Sequence, residues 1–244
     1  MLVRFSVTSK EEPQHEMDTG NLLLQDIFAN EGNRMQLLLG TDETTELAAS
    51  IMFSLTTQVA CENGGCATWV RATPLQTLPL LTSSDRRPTV AVLRRIEFVY
   101  LDTRAELIAF LNGLHSLGEV VDCLLVDGLQ AYCDHEPTSF AGLLATAQDL
   151  ANWIGDRRPA GRCPTASPPV LVSCSLPESQ HPALRTVAAI YTDCLLELKK
   201  IHNNKVEIHR NGKLCCLITV DKDKRIFQIE QTQQQHINLP TQSQ

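Results

Sequence analysis

This chain of 244 residues has few aromatic side chains and no excess of positive charge. Aromatic residues make up 5% of it, and 28 acidic residues outnumber 21 basic ones, which gives a net charge of −7 at pH 7. A chain with this balance does not attract polyanions through its overall field, so any contact with nucleic acid requires a local basic surface. With so few aromatic residues, base stacking on such a surface is expected to be sparse.

Long apolar runs are absent too. No run approaches the roughly 18 residues that a membrane helix needs, and the apolar stretch at the start is too short for a signal peptide. Cysteines are odd in number, nine, and several lie within apolar runs, as free thiols do in a reducing compartment. We therefore expect an intracellular protein without membrane segments. Neither the cysteines nor the seven histidines follow zinc-ligand spacing, so no metal site is predicted.

Composition divides the chain into three segments. Residues 1–33 hold six acids and two bases, which predicts a flexible acidic arm. Within that arm, Leu22–Phe28 could form a short docking helix, although a loosely packed segment that precedes the core is the simpler interpretation. Residues 34–232 alternate between strand-like and helix-like patterns, so we expect one core domain there. Residues 233–244 are polar and are expected to be disordered.

Hydrophobic periodicity predicts an α/β core with a mainly parallel sheet flanked by helices. Strands are predicted at Met35–Leu39, Ala67–Arg71, Leu93–Tyr100, Val120–Val126, Val170–Cys174 and Asp193–Leu198. Helices are predicted at Thr44–Ala60, after a capping box formed by Thr103 and Glu106, after a cap at Ser139, and at Pro182–Tyr191. Asn211-Gly212 between alternating segments predicts a C-terminal antiparallel hairpin or meander.

The first strand, Gly40 and the helix after it have the layout of a Walker A phosphate-binding loop. Aligned from Gly40, the second glycine of that motif is replaced by Thr45, its lysine by Glu46 and its hydroxyl residue by Leu47. Asp42 and Glu43 add negative charge to the same loop. Each repulsion of unit charges at ~5 Å costs roughly 3 kcal/mol at an effective dielectric of ~20. The loop is therefore predicted not to hold ATP in the usual way.

Asp127 follows the apolar strand Val120–Val126, as the carboxylate of a Walker B motif does. In a P-loop protein this residue lies next to the Walker A loop and holds Mg²⁺, usually through water. The alternative is a structural role, in which Asp127 caps the turn that follows. No serine lies in a Gly-x-Ser-x-Gly elbow and no nucleophile triad stands out, so we predict no catalytic residue.

Basic residues concentrate near the end of the chain. Between Lys199 and Arg225, eight bases face three acids, which gives a local charge of +5. This segment is a candidate surface for single-stranded DNA, whereas the alternative is a solvated sheet face whose charges prevent edge aggregation. Shorter basic clusters lie at 157–162 and 94–95. The candidate DNA-binding residues are Lys199, Lys200, Lys205, Arg210, Lys213, Lys222, Lys224 and Arg225.

Four motifs in order resemble one known family: LLLGT, TPLQTLP, IEFVYLDTRAELIAFL and LLVDGLQAY. They are similar to the RecA-like recombinase paralogs associated with a SWIM-type zinc-finger protein in the vertebrate Shu complex. The resemblance covers roughly Gln36 to Glu230 and is strongest from Ala67 to Tyr132. It implies a RecA-like P-loop NTPase fold and a heterodimer with the SWIM zinc-finger partner. It also implies contact with a recombinase and its paralogs, single-stranded DNA binding, and nuclear homologous recombination, including meiosis.

The chain departs from that family at the nucleotide site. Family members often keep a complete Walker A motif with ATPase activity, whereas only Gly40 and Thr41 survive here. The resemblance therefore implies that Gly40, Thr41 and Asp127 are vestigial positions for ATP and Mg²⁺, with weak hydrolysis or none. Two alternatives stay open: an ATPase stimulated by single-stranded DNA, and an adaptor that touches only protein.

Overall fold

The computed structural model describes residues 2–3, 28, 34–61, 65–79, 88–116, 121–134, 136–157, 168–202, 204–220 and 226–231. The strands in these ranges are β1 Leu2–Val3, β2 Met35–Gly40, β3 Ala67–Arg71, β4 Ile96–Tyr100, β5 Cys123–Asp127, β6 Val170–Ser175, β7 Cys194–His202, β8 Lys205–Arg210, β9 Lys213–Val220 and β10 Ile226–Gln231. The α-helices are α1 Thr45–Cys61, α2 Val90–Leu93, α3 Arg104–Leu114, α4 Pro137–Arg157 and α5 His181–Tyr191. Short 3-10 turns occur at Asp42–Thr44, Leu129–Tyr132 and Glu178–Gln180.

The described strands form one sheet in the order β1-β4-β3-β5-β6-β2-β7-β8-β9-β10. The strands from β4 to β7 in that order pair in parallel. β1 joins one edge antiparallel, and β8 to β10 continue the other edge as an antiparallel meander. The predicted α/β fold, mainly parallel with C-terminal antiparallel strands, is therefore confirmed, and it is consistent with a RecA-like architecture.

Helices cover both faces of the parallel strands, which explains why those strands read as almost continuous apolar runs. α1 packs on one face around Phe53 and Trp69, whose ring centroids lie 5.8 Å apart. α3, α4 and α5 pack on the other face, where α4 contributes Phe140, Leu144 and other buried side chains. The carboxyl ends of the parallel strands consequently meet at one edge of the sheet.

Three local predictions can be compared directly with the elements. The capping box is confirmed, because Thr103 and Glu106 exchange hydrogen bonds at the start of α3. The prediction that Ser139 caps α4 is wrong: α4 begins at Pro137, and the buried Ser139 hydroxyl accepts a hydrogen bond from Arg104. Leu93 ends the short helix α2 instead of starting β4, because the Thr89 side chain caps that helical turn.

The N-terminal region contributes to the core at two described places. Leu2 and Val3 pair with β4, and Phe28 is fully buried in the cluster around α1. The Phe28 carbonyl accepts a hydrogen bond from the Gln36 side chain at 2.9 Å. At these residues the chain is attached to the core. The rest of the flexible acidic arm predicted for 1–33, including 22–27 of the candidate docking helix, and the predicted tail at 233–244 lie outside the described residues.

None of the helices in the described part of the chain combines the length and the apolar character required to cross a bilayer.

Candidate functional site

The loop after β2 is closed by its own side chains. The Thr41 backbone N–H donates to the Thr44 hydroxyl at 2.9 Å, and that hydroxyl donates to the Thr41 carbonyl at 3.0 Å. Thr44 is only 1% exposed, so its side chain lies inside the turn. A phosphate-binding loop needs free backbone N–H groups that point at the anion. Here the Thr41 N–H is already used within the protein.

Gly40 is necessary for this closed turn. A Cβ built on Gly40 would lie 2.3 Å from the Thr44 hydroxyl oxygen, so a larger residue would displace that side chain. The Gly40 carbonyl accepts from the Leu176 backbone N–H at 3.0 Å and lies 3.2 Å from Nε2 of His181. Gly40 therefore serves the packing of this turn, and the turn is not an open loop around a phosphate.

The start of α1 is tied to neighbouring strands. The Thr45 hydroxyl, at the position of the second Walker A glycine, donates to the Ser175 hydroxyl at 2.9 Å. Glu43 forms an ion pair with Lys200 of β7, with 2.9 Å between Oε2 and Nζ. Lys200 therefore offsets part of the negative charge that Glu43 adds to the loop.

Asp127 ends β5 and is held by residues of two adjacent strands. Its Oδ1 accepts from the Ser173 hydroxyl at 2.7 Å, and its Oδ2 lies 3.6 Å from Nη1 of Arg71. The carboxylate is 6% exposed. Burial raises the pKa of Asp127 above its ordinary value of 3.8, while the Arg71 guanidinium and the Ser173 hydrogen bond oppose that rise. The protein thus supplies its own cation to this carboxylate.

The position of Asp127 also differs from the expected one. β6 lies between β5 and β2, so Asp127 is two strand spacings, roughly 10 Å, from the strand of Gly40. Asp127 does not cap the turn that follows either: its Oδ1 accepts from Ser173, its Oδ2 has no hydrogen-bond partner among the described residues, and the Gly128 N–H donates to Ser173 at 2.9 Å. The Thr41 N–H already donates to Thr44, and the Arg71 guanidinium lies beside Asp127. This arrangement does not fit a bound Mg²⁺–triphosphate.

The candidate DNA-binding residues in the described ranges are interspersed with acids. Nζ of Lys199 lies 3.9 Å from Glu197, which is buried and also bonded to Arg185, and Lys200 pairs with Glu43 as described above. Cross-strand register places Lys199 opposite Glu207. The segment therefore does not present a uniformly positive face in its described part.

Besides Lys200, the described part of this segment has two exposed lysines, which lie at opposite ends of a hairpin. Lys205 begins β8 and pairs with Thr219, whereas Lys213 begins β9 and pairs with Arg210. Five residue steps along a strand separate the two lysines, which is roughly 17 Å. Arg210 is half-buried. Lys222, Lys224 and Arg225 lie outside the described residues.

Buried thiols offer no nucleophile. Burial raises the pKa of Cys133 to about 11 and that of Cys216 to about 12, so both stay protonated at neutral pH. Among the described residues, no group of three or more His, Cys, Asp or Glu side chains is placed to hold a metal ion.

Sequence reasoning missed three residues that shape this edge of the sheet. Arg71 and Ser173 hold Asp127, and His181 lies 3.0 Å from the Leu176 carbonyl and close to that of Gly40. The sequence places Arg71 and Asp127 at the ends of predicted strands, but it does not show that these two strands are neighbours. No sequence signal singles out Ser173 or His181.

The described residues define an α/β protein with a mainly parallel sheet, in which the loop after β2 is closed by Thr44. No family model matches the chain. Among curated proteins, ATPase SWSAP1 of the mouse (Mus musculus) is 31% identical to it over 131 residues, which are 52% of this chain and 46% of that relative. The chain thus spans about half the length of the curated relative it matches.

Proposed function

We propose that this chain is a non-motor, RecA-like accessory subunit in homologous recombination. It pairs with a SWIM-type zinc-finger protein in the nucleus, binds single-stranded DNA and promotes recombinase-mediated repair of double-strand breaks. The observation that carries this proposal is the Thr44 hydroxyl, which fills the turn at Gly40 and uses the N–H that a phosphate would need. The motifs that resemble the RecA-like recombinase paralogs support the relationship to recombination proteins, and ATPase SWSAP1 of the mouse matches about half of the chain.

The proposed mechanism is binding without hydrolysis. Hydrogen bonds join Gly40 to Leu176 and Asp127 to Ser173, and Thr45 to Ser175. Because these bonds tie the ends of neighbouring strands together, the carboxyl edge of the sheet is a fixed scaffold. The meander β8–β10 extends the sheet beyond the parallel strands. We assign the DNA contact to the basic residues of this extension, and contact with the recombinase and its paralogs to the same assembly.

The proposal is tested by single-strand binding of the chain co-expressed with the SWIM zinc-finger protein. An oligothymidine gel shift, with the free chain as a reference, should show that the complex binds without ATP and that added ATP changes nothing. A stable complex that does not bind the oligonucleotide at low salt would instead indicate an adaptor that touches only protein. Failure to form a complex would remove the proposed partner.

A triple substitution tests whether the segment before β10 forms part of the DNA-binding surface. Lys222→Ala, Lys224→Ala and Arg225→Ala together should weaken binding and reduce the salt slope by about 0.7 for each phosphate that these side chains neutralise. Arg94→Ala is the matched control, since it removes an exposed charge near the other edge of the sheet. An unchanged slope in the triple variant would exclude this segment.

A second candidate function is an ATPase stimulated by single-stranded DNA, and the name of the mouse relative favours its ATPase part. The two functions differ in one measurable property, namely whether ATP and Mg²⁺ bind at Gly40 and Asp127.

A further inference from the structure

A stack of aromatic and cationic side chains lies far from the closed loop. The Arg157 guanidinium carbon is 4.3 Å from the centroid of the Trp153 ring, and the His115 ring centroid is 5.0 Å from it. His115 and Arg157 are exposed and Trp153 is partly exposed. The chain has two tryptophans, and the other, Trp69, is fully buried.

The helices explain how the stack is assembled. Trp153 and Arg157 are four residues apart in α4, so they share one face of its last turns. His115 caps the end of α3. Arg34, which precedes β2, is 2.6 Å from Asp156, so this end of α4 lies at the amino edge of the sheet. The stack is therefore about one strand length, roughly 20 Å, from Gly40.

Helix stability explains only part of this arrangement. A cation in the last turn of a helix interacts favourably with the negative end of the helix dipole, which accounts for Arg157. It does not require a partly exposed tryptophan beneath the guanidinium. Arg157 forms no ion pair with a carboxylate of the described ranges, so its charge is available to a ligand.

We infer that the Trp153 stack, made of His115, Trp153 and Arg157, is a base-stacking contact for single-stranded DNA. A base stacks on the planar guanidinium–indole pair, and the charge of Arg157 attracts the neighbouring phosphate. The inference rests on the proposed single-strand binding and adds a site away from the meander β8–β10. The next arginines in the sequence, Arg158 and Arg162, lie outside the described residues and are not part of the site.

Tryptophan fluorescence of the full chain tests this contact, because buried Trp69 gives only a constant background. Binding of a labelled oligothymidine is measured by anisotropy, and the emission of Trp153 is recorded in the same titration. We expect emission to be quenched at the concentration at which anisotropy rises, in the native chain and in Trp69→Phe. We also expect Arg157→Gln to weaken binding about tenfold, and the control Arg94→Gln to stay within about twofold.

The outcomes separate this inference from the proposed function. A rise in anisotropy without quenching, together with unchanged affinity in Arg157→Gln, overturns the stacking contact and leaves single-strand binding in place. No rise in anisotropy with the native chain at low salt rejects single-strand binding by this chain and the stacking contact with it.

Discussion

The missing side chain of Gly40 leaves room for the Thr44 hydroxyl at the end of β2. A Cβ on Gly40 would meet that oxygen at 2.3 Å, so the closed turn and a side chain at this position exclude each other. In a phosphate-binding loop the same glycine allows the backbone to approach a ligand. In this chain it allows close approach of the protein's own threonine.

Gly40→Ala should lower the free energy of unfolding by about 1–3 kcal/mol, because Thr44 must leave its position in the turn. Urea unfolding measures the change. The control is Gly113→Ala in α3, where nothing lies within 4 Å of the added Cβ, and this variant should gain up to about 1 kcal/mol from helix propensity. Equal effects in the two variants would show that the turn at Gly40 is not tightly packed.

Asp127 should make stability depend on pH in a specific direction. Its native pKa is raised by burial above 3.8, against the opposing effects of Arg71 and Ser173. Between 3.8 and the native pKa the folded state holds more protons than the unfolded state, so the Asp127 contribution to the free energy of unfolding falls as pH rises. It is fully present below pH 3.8 and is lost as pH passes the native pKa.

Asp127→Asn removes this titration and retains an oxygen that accepts from Ser173. The free energy of unfolding of the native chain minus that of the variant should therefore be constant below pH 3.8 and decrease above it. Urea unfolding at a series of pH values gives the difference. An increase with pH would mean that the Arg71 ion pair outweighs the cost of burying the carboxylate.

At the scale of elements, the segment before β2 is attached to the core through Phe28. This side chain is fully buried, and the carbonyl of the same residue accepts from Gln36 of β2. Phe28→Ala should cost about 3–5 kcal/mol in unfolding free energy, as large-to-small changes in a core do. A chain that starts at Arg34 should lose a similar amount.

Leu78→Ala is the control for this segment, since Leu78 is 38% exposed and should change stability by less than about 0.5 kcal/mol. If Phe28→Ala had an effect as small as the control, the residue would belong to a separate acidic arm, as its charged neighbours in sequence indicate.

Strands buried on both faces could be located from sequence almost residue by residue. Ala67–Arg71 was predicted with its observed bounds, because an apolar run between turn residues has few alternatives. The contact of Arg71 with Asp127 could not be predicted, since periodicity within a strand does not give its neighbours. Thr44 was missed because the motif assigns no role to its position, and its hydroxyl acts only after the chain turns at Gly40.

At the scale of the whole molecule, the parallel strands end at a carboxyl edge and an amino edge of the sheet, and these two edges differ in chemistry. The carboxyl edge holds the closed turn and the Asp127–Arg71 pair, and the amino edge holds the Trp153 stack. The basic residues of the meander lie between acids, so the meander does not form a broad positive surface in the described part of the chain. Binding in the proposed assembly therefore depends on few contacts.

The central claim is that the nucleotide site is closed, and calorimetric titration of the full chain with ATP and Mg²⁺ tests it directly. We predict no saturable binding tighter than about 100 μM, which corresponds to about −5.5 kcal/mol. Saturable binding tighter than this in the native chain, abolished by Asp127→Ala, would contradict the claim and establish a working nucleotide site.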